Sequence, residues 1–371
     1  MQRIKILVGE WCDEHSNNAQ TLNTKELLSR FNDSRMQWYV PYYKAPDRRL
    51  LNKQNVVPFR MTRKRTYSFY KTLYYTLKAD ALFYPNLSGF QLQLLRLRKL
   101  FGKRVPVIAT LEGLNGDVAR QNLLSEHFGH PVVCAMAPRK RLRRSDFVFK
   151  EADQIIAISD FLGQVAERLF GPKVSVLPLG IDAAKFGGAR NPGKQFTVIS
   201  AGTVYQRKRP EVFLELGAKF RSVNFVWYGD GQMRQGLVEQ AKKLGLDNVH
   251  FPGPIANAKL AEKLKEANLF VLPSLSEGVP KVAQEASACG LPVIIFGHYE
   301  SPTVIDGHNG HVVWDQQELC DRIADLVANP EKVRVMGDNG VTMSKTWNWD
   351  DIAPRWERRL FEVFQDALGR G

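Results

Sequence analysis

The stretch from Leu269 to Ile295, LFVLPSLSEGVPKVAQEASACGLPVII, decides the fold. Its first four residues form the short, continuous apolar run of a buried parallel strand. Pro273 to Glu277 is a polar loop. Pro280 reads as the first helical residue, where its missing N–H costs nothing. The helix runs to Cys289 and stops at Gly290, and Pro292 prevents its resuming. Pro292 to Phe296 is the next strand. Two carboxylates belong to this unit, Glu277 at the end of the loop and Glu285 on the helix. Between them Gly278 has no side chain to keep a ligand from the backbone. The amides of a first helical turn make an anion site best suited to phosphate. With hydroxyl acceptors on either side, such a site suits a molecule carrying both phosphates and hydroxyls, as a nucleotide-sugar does.

The same alternation extends in both directions. Towards the C-terminus, strands are predicted at Phe196–Ala201, Asn224–Tyr228, Val249–Phe251, Leu269–Leu272, Pro292–Phe296 and His311–Val313. Helices at Pro210–Phe220, Met233–Leu244, Asn257–Ala267, Pro280–Cys289 and Glu318–Val327 separate them. Towards the N-terminus, strands are expected at Arg3–Val8, Trp38–Val40, Ala81–Tyr84, Val105–Thr110, Gln154–Ser159 and Val174–Pro178. The helices between them are Gln20–Phe31, Thr62–Leu77, Gln91–Phe101 and Gly163–Phe170. The Gly-rich polar stretch up to Lys194 is the best linker in the chain. The pattern predicts an α/β protein of two Rossmann-like, doubly wound parallel-sheet domains facing a central cleft. Residues 1–182 form the first domain and 183–350 the second; 351–371 is an amphipathic helix expected to pack back on the first.

At 371 residues the chain is long enough for two full cores. No apolar run approaches the roughly 18–20 residues needed to span a bilayer, and the N-terminus enters a strand without a signal-peptide core. Cys12, Cys134, Cys289 and Cys320 lie far apart without metal-like spacing, as expected of thiols in a reducing cytosol. The net charge of +14 divides unevenly. Residues 1–185 hold 30 Lys and Arg against 16 Asp and Glu, whereas residues 186–371 hold 22 of each. All the excess belongs to the first half, so the halves are expected to meet different partners.

Several motifs resemble one family. Glu277-Gly278-Val279-Pro280-Lys281 through Glu285-Ala286 resembles the E-x7-E signature of retaining nucleotide-sugar glycosyltransferases, the family 4, glycogen-synthase-like enzymes of the GT-B fold. Glu151 to Ser159, EADQIIAIS, is similar to that family's "ADxVIAVS" strand. Val174 to Phe186 resembles its interdomain crossing, with Leu179 where Asn is usual, and Val304 to Gly310 its "DGxNG" turn. The resemblance covers the chain from Glu151 onward and weakens before it. It implies that Glu277 contacts the donor sugar and Glu285 the ribose. The position of Glu285, about two turns from the helix mouth, agrees, because a carboxylate at the mouth repels phosphates.

The resemblance also implies where the diphosphate sits. After the first strand of the second domain, the family has Gly-Arg and then a Lys five residues on. Here Gly202-Thr203 leads to Lys208, which matches the Lys, while Thr203 occupies the Arg position. Arg207 or Arg209 supplies the missing charge. Gly278, Val279, Pro280 and Lys281 complete the diphosphate site. From the first domain, Gly9 belongs to the family's Gly-rich loop, with Asn17 and Asn18 where a Gly pair is expected; Asn is the next most tolerant of left-handed backbone. Tyr228-Gly229-Asp230-Gly231 resembles the family's "GDG" turn and fails as a dinucleotide fingerprint, because the third Gly position is Arg234. Phe251, Pro254 and Ile255 are the candidate base contacts. Glu112 stands where the family has a sugar-contacting His; it is a substituted catalytic contact or a sign of a different donor or acceptor.

No D-x-D sequence or metal-spaced cluster is present, so no metal or other cofactor is expected and the nucleotide-sugar, UDP- or GDP-linked, is a co-substrate. The acceptor belongs to the basic half. Three clusters, Phe59–Lys78, Arg96–Arg104 and Arg139–Arg144, hold much of the excess charge, the first interleaved with aromatics and the second with leucines. Basic residues beside an apolar face describe an interfacial helix on anionic lipid. The expectation is therefore a peripheral enzyme on the cytoplasmic face of the plasma membrane. It acts on a lipid-linked or anionic glycan acceptor in lipopolysaccharide or polysaccharide biosynthesis, without nucleic-acid binding. A soluble acceptor, or a GT-B-shaped protein that binds nucleotide-sugars without turnover, are the alternatives.

Overall fold

In the computed structural model, which describes residues 3–15, 19–62, 64–85, 95 and 105–369, the chain builds two parallel sheets. The strands of the first half are β1 (Ile4–Val8), β2 (Met36–Tyr42), β3 (Val56–Arg60), β4 (Ala81–Tyr84) and β5 (Val107–Leu111). A short pair, β6 (Asn115–Gly116) and β7 (Ala135–Met136), precedes β8 (Gln154–Ala157) and β9 (Val174–Val176). The first sheet has the order β3-β2-β1-β4-β5-β8-β9. The strands of the second half are β10 (Thr197–Ala201), β11 (Asn224–Tyr228), β12 (Val249–Gly253), β13 (Leu269–Leu272), β14 (Val293–Phe296) and β15 (Gly310–Val313). They form a second sheet in the order β12-β11-β10-β13-β14-β15. All four residues of β13 are buried, as a strand covered on both faces requires. The expected GT-B class, two Rossmann-like parallel-sheet halves, is the observed one.

The chain divides into two compact units. The first comprises the chain up to Asn115, Ala137–Gly180 and the chain from Trp349 onward; the second comprises Gly116–Met136 and Ile181–Asn348. The helix Trp349–Gly369 buries Trp356, Leu360 and Phe364, and the Trp356 indole donates to the Pro178 carbonyl at 2.7 Å. In the second unit Trp227 and Phe213 meet edge to face at 5.1 Å under the sheet. The segment Gly116–Met136 is held there partly by His298, whose Nδ1 lies 3.3 Å from the Pro131 carbonyl.

Several elements depart from expectation, the helix Arg139–Glu151 among them. β3 carries Pro58, which an edge strand tolerates because one side of its ladder is unpaired. The helices Val118–Phe128 and Pro330–Ser344 are additional. The helix predicted over Gln91–Phe101 lies, apart from Leu95, outside the described residues, as do Asn17 and Asn18. Among the described residues no helix is long and apolar enough to cross a membrane.

Candidate functional site

The order of the second sheet fixes where a ligand goes. From β10 the chain steps outward through β11 to β12, then returns to β13 beside β10 and steps the other way. The gap beyond the carboxyl ends of β10 and β13 is the topological switch point at which such sheets bind ligands. The loop after β10 carries Gly202, Thr203, Arg207 and Lys208, and the loop after β13 carries Glu277.

Backbone contacts hold the loops after β10 and β11 together, and Gly229 N–H donates to the Gly253 carbonyl at the end of β12 at 2.9 Å. Gly202 N–H donates to the Tyr228 carbonyl and Val204 N–H to the Asp230 carbonyl, each at 2.9 Å. The Trp227 indole N–H donates to the Gly202 carbonyl at 3.1 Å. Gly229 has φ +146°, and a Cβ there would stand 1.8 Å from the Gly202 oxygen. Only glycine fits this approach.

Lys208 and Arg207 converge on one carboxylate oxygen. Lys208 Nζ lies 2.6 Å and Arg207 Nη1 2.9 Å from Glu277 Oε1. Arg207 also donates to the Ser276 carbonyl. Burial alone would raise the Glu277 carboxyl, but Lys208 and Arg207 outweigh it and hold it below the usual range. Two cations on one carboxylate leave a net positive charge at the switch point. Arg209 turns away from them: it adopts φ +53° and places its guanidinium 5.2 Å from the Phe296 ring centre. Of the two candidates Arg207 and Arg209, Arg207 stands beside Lys208 at Glu277. The Thr203 side chain is exposed.

The adjoining helix is Lys281–Ala288, with Pro280 as its N-cap rather than its first helical residue, because Pro280 ψ is 104°. Among the described residues no side chain caps it, and no acidic residue occupies its first turn. Its amide end therefore stays available to an anion, with Gly278 and Val279 half-buried in front of it. Farther along, Glu285 is half-buried, and no hydrogen bond or ion pair engages its carboxylate among the described residues. Burial pushes its carboxyl above the ordinary value; Lys281 and Lys185 offset part of that rise and Asp182 adds to it.

Two residues that sequence reasoning passed over belong to this region. Tyr299 is buried with its phenol raised well above the usual value, by burial and by the neighbouring Glu277. Its hydroxyl has no hydrogen-bond partner among the described residues, whereas the buried Ser274 hydroxyl bonds the Glu277 side chain and helps hold it low. Tyr299 carried no sequence signal, since only the fold brings it beside Glu277; Ser274 lies three residues before Glu277 in the same loop.

The structure also places the other candidates. Phe251, a candidate base contact, is buried in the second unit's hydrophobic core, as its inward register on β12 dictates. Pro254 is exposed and Ile255 packs partly against the core. Arg234, noted only for spoiling a fingerprint, donates to the Phe251 carbonyl at 3.1 Å and lies against Gly253. In the first unit, Gly9 N–H donates to the Phe83 carbonyl at 2.8 Å, and the Glu112 carboxylate accepts from Asn23 Nδ2 at 2.9 Å. Among the described residues no group of three or more His, Cys, Asp or Glu is placed to hold a metal ion.

Comparison with known proteins bears on this geometry. Residues 183–343 match the family model described as glycosyl transferases group 1. A D-inositol 3-phosphate glycosyltransferase of Catenulispora acidiphila is 29% identical over 245 residues, 58% of this chain and 57% of its own length. A GDP-mannose-dependent phosphatidylinositol monomannoside mannosyltransferase of Mycolicibacterium smegmatis is 27% identical over 67% of this chain and 72% of its own. The chain spans less than two thirds of the length of the first of these relatives. Among solved structures, Anabaena HepE in complex with UDP and glucose is similar with a TM-score of 0.75 at 17% identity, covering 97% of this chain and all of that one. Sucrose-phosphate synthase of Thermosynechococcus elongatus is similar with a TM-score of 0.76 at 19% identity, covering 98% of this chain and all of that one. The switch point with Lys208, Glu277 and Glu285 thus lies in a region similar to the group 1 glycosyl transferases, within a chain of the GT-B fold.

Proposed function

We propose that the protein is a retaining glycosyltransferase that takes a sugar from a nucleotide-sugar without a metal ion. One observation carries this reading: a net-positive Arg207–Glu277–Lys208 group at the mouth of a helix that, among the described residues, no side chain caps, with Glu285, unpaired among those residues, farther along it. The diphosphate would lie against Lys208, Arg207 and the amides of Gly278 to Lys281. Glu285 would accept the two hydroxyls of the ribose. Glu277, its charge compensated, is then able to stand near phosphate and accept from the sugar hydroxyls. Neutralising the departing diphosphate is the largest electrostatic need of this transfer, and these cations meet it. A named relative uses GDP-mannose and a structural neighbour is complexed with UDP, which leaves both bases in the test.

For the acceptor, the first unit supports an anionic, membrane-facing reading. The helix Arg65–Lys78 buries Ser68, Thr72 and Thr76 and turns Tyr67, Tyr70, Tyr74 and Leu77 outward. Lys71 and Lys78 lie over the Tyr67 and Tyr74 rings, at 5.5 and 4.4 Å from their centres. Exposed tyrosines beside lysines suit a lipid headgroup layer. Arg139, Lys140, Arg141, Arg143 and Arg144 are all exposed on another helix of the same unit. The cluster Arg96–Arg104 lies outside the described residues. A soluble acceptor is the second reading, favoured by the relatives named for D-inositol 3-phosphate.

Thermal shift against UDP-, GDP- and ADP-sugars tests the donor half. Saturation at 100 times Kd is expected to stabilise by about 2.7 kcal/mol, and Glu285→Ala to abolish that shift. A shift that persists in Glu285→Ala removes the ribose assignment. Co-sedimentation with anionic but not neutral vesicles is expected of the membrane reading; binding to neither removes it.

A further inference from the structure

The first unit has an opening of its own. A cavity of about 730 Å3 lies where the chain leaves β1, β2 and β3, walled by Asp13 and Glu14, by Tyr43 and Lys44, and by Arg60 and Met61. Its wall after β1 is fixed from behind: the buried Lys25 ammonium donates to the Asp13 and Glu14 carbonyls at 2.8 and 3.0 Å and pairs with Asp47 at 3.1 Å. Met61 is buried, and Trp11 meets Tyr43 edge to face at 4.0 Å.

The acids in this wall are already engaged. Asp13 Oδ1 accepts the Tyr43 and Lys44 backbone N–H groups at 3.0 and 2.7 Å. Glu14 Oε1 pairs with Arg48 Nε at 2.7 Å, and His15 stands 3.9 Å from its other oxygen. The cations are not engaged: among the described residues, no ion pair or hydrogen bond engages the side chains of Lys44 and Arg60. An ammonium and a guanidinium carry eight N–H donors and no acceptor. A carboxylate would neutralise one of them; a phosphate monoester, with close to two charges and three free oxygens, answers both.

We propose that this cavity binds a phosphate monoester, with Lys44 and Arg60 as its ligands and the Tyr43–Met61 side against the group that bears it. The site deepens the reading above, on which it rests only in calling the ligand an acceptor. The phosphate can come from a soluble acceptor or from a lipid headgroup.

Trp11 against Tyr43 supplies a readout that needs no turnover. Tryptophan fluorescence of the full chain is titrated at constant ionic strength with sn-glycerol 3-phosphate, with glycerol, and with phosphatidic acid or phosphatidylcholine vesicles. Trp11→Phe identifies the part of the signal that belongs to the cavity. Saturable binding of glycerol 3-phosphate but not glycerol is expected, weakened at least tenfold in a Lys44→Ala, Arg60→Ala variant that keeps its nucleotide-sugar shift. Binding to phosphatidic acid vesicles alone, with the same dependence on Lys44 and Arg60, supports the site and assigns it to a lipid headgroup. Equal binding by variant and parent, equal binding of glycerol, or no binding to either phosphate probe overturns it. Glu285→Ala is expected to leave phosphate binding intact, so the two sites fail or stand separately.

Discussion

Glu277 and Glu285 belong to one strand–loop–helix unit, yet their surroundings act in opposite directions. At Glu277 two cations converge on a single oxygen and hold the carboxyl low despite burial. At Glu285 burial dominates and the carboxyl is held high. One is a carboxylate that the fold has already neutralised; the other is a carboxylate left for something else to satisfy. The linkage to pH differs in sign. The stabilisation from Glu277 is present above its unfolded pKa and is lost as pH falls through its lower folded value. Ionised Glu285 costs folding stability above its raised folded pKa, and that cost fades as pH falls from there to the unfolded value. A buried acceptor that costs stability when empty gains most when hydroxyl donors arrive.

Lys208→Met tests the compensated side and carries the largest expected effect. It removes the closer cation, leaving Glu277 to Arg207, whose side chain is 43% exposed. Turnover is expected to fall about 10²–10³-fold, the cost of removing one preorganised donor from developing charge. Arg207→Ala is expected to cost less, because an exposed partner is screened and mobile. Steady-state rates on matched donors check both, and equal losses would show that exposure does not rank the two cations.

Glu285→Gln tests the other side. It keeps the shape and removes the charge, so donor binding near neutral pH is expected to weaken by about 1.5–3 kcal/mol, the scale of hydrogen bonds to a charged group. In the parent, donor affinity is expected to fall as pH drops through the raised Glu285 pKa; in Glu285→Gln that slope disappears. Nucleotide titrations between pH 5 and about 8, bracketing the ordinary carboxylate and histidine ranges, read it directly. A parent without the slope would place the ribose elsewhere.

The second unit was legible because its strands are short apolar runs punctuated by Gly and Pro, and its site follows from strand order. β11 and β13 begin and end where apolar patterning predicts. What stayed hidden depends on contacts distant in sequence. The helix Pro330–Ser344 contains Gly337, which reads as a breaker until packed: a Cβ there would meet the Gly290 carbonyl at 2.0 Å. The helix Val118–Phe128 buries only Leu124 among its residues, so it has little apolar periodicity to betray it. Its segment's place with the second unit rests on His130 and His298 meeting Glu300 and Pro131, which spacing does not encode. The core burial of Phe251 was not legible, because a hydrophobic strand end reads alike as core or pocket. Lys208 and Arg207 were expected in the same donor site as Glu277, but their direct pairing with its carboxylate was not legible, since they stand about seventy residues earlier.

The choice of Arg207 over its neighbour depends on one backbone turn and yields the smallest effect. Arg209 holds φ +53°, a conformation that disfavours a side chain, and its guanidinium rests over Phe296. Arg209→Gly removes both the steric cost of left-handed backbone and a cation–π contact of about 0.5–1 kcal/mol. The two act in opposite directions, so stability is expected to change by less than about 1 kcal/mol. Donor affinity should stay within about twofold, because no charge leaves the Glu277 group. A tenfold loss of nucleotide-sugar binding in Arg209→Gly would mean that this loop rearranges on binding and that Arg209 reaches the diphosphate. Comparing it with Arg207→Ala under the same donor then separates the two cations.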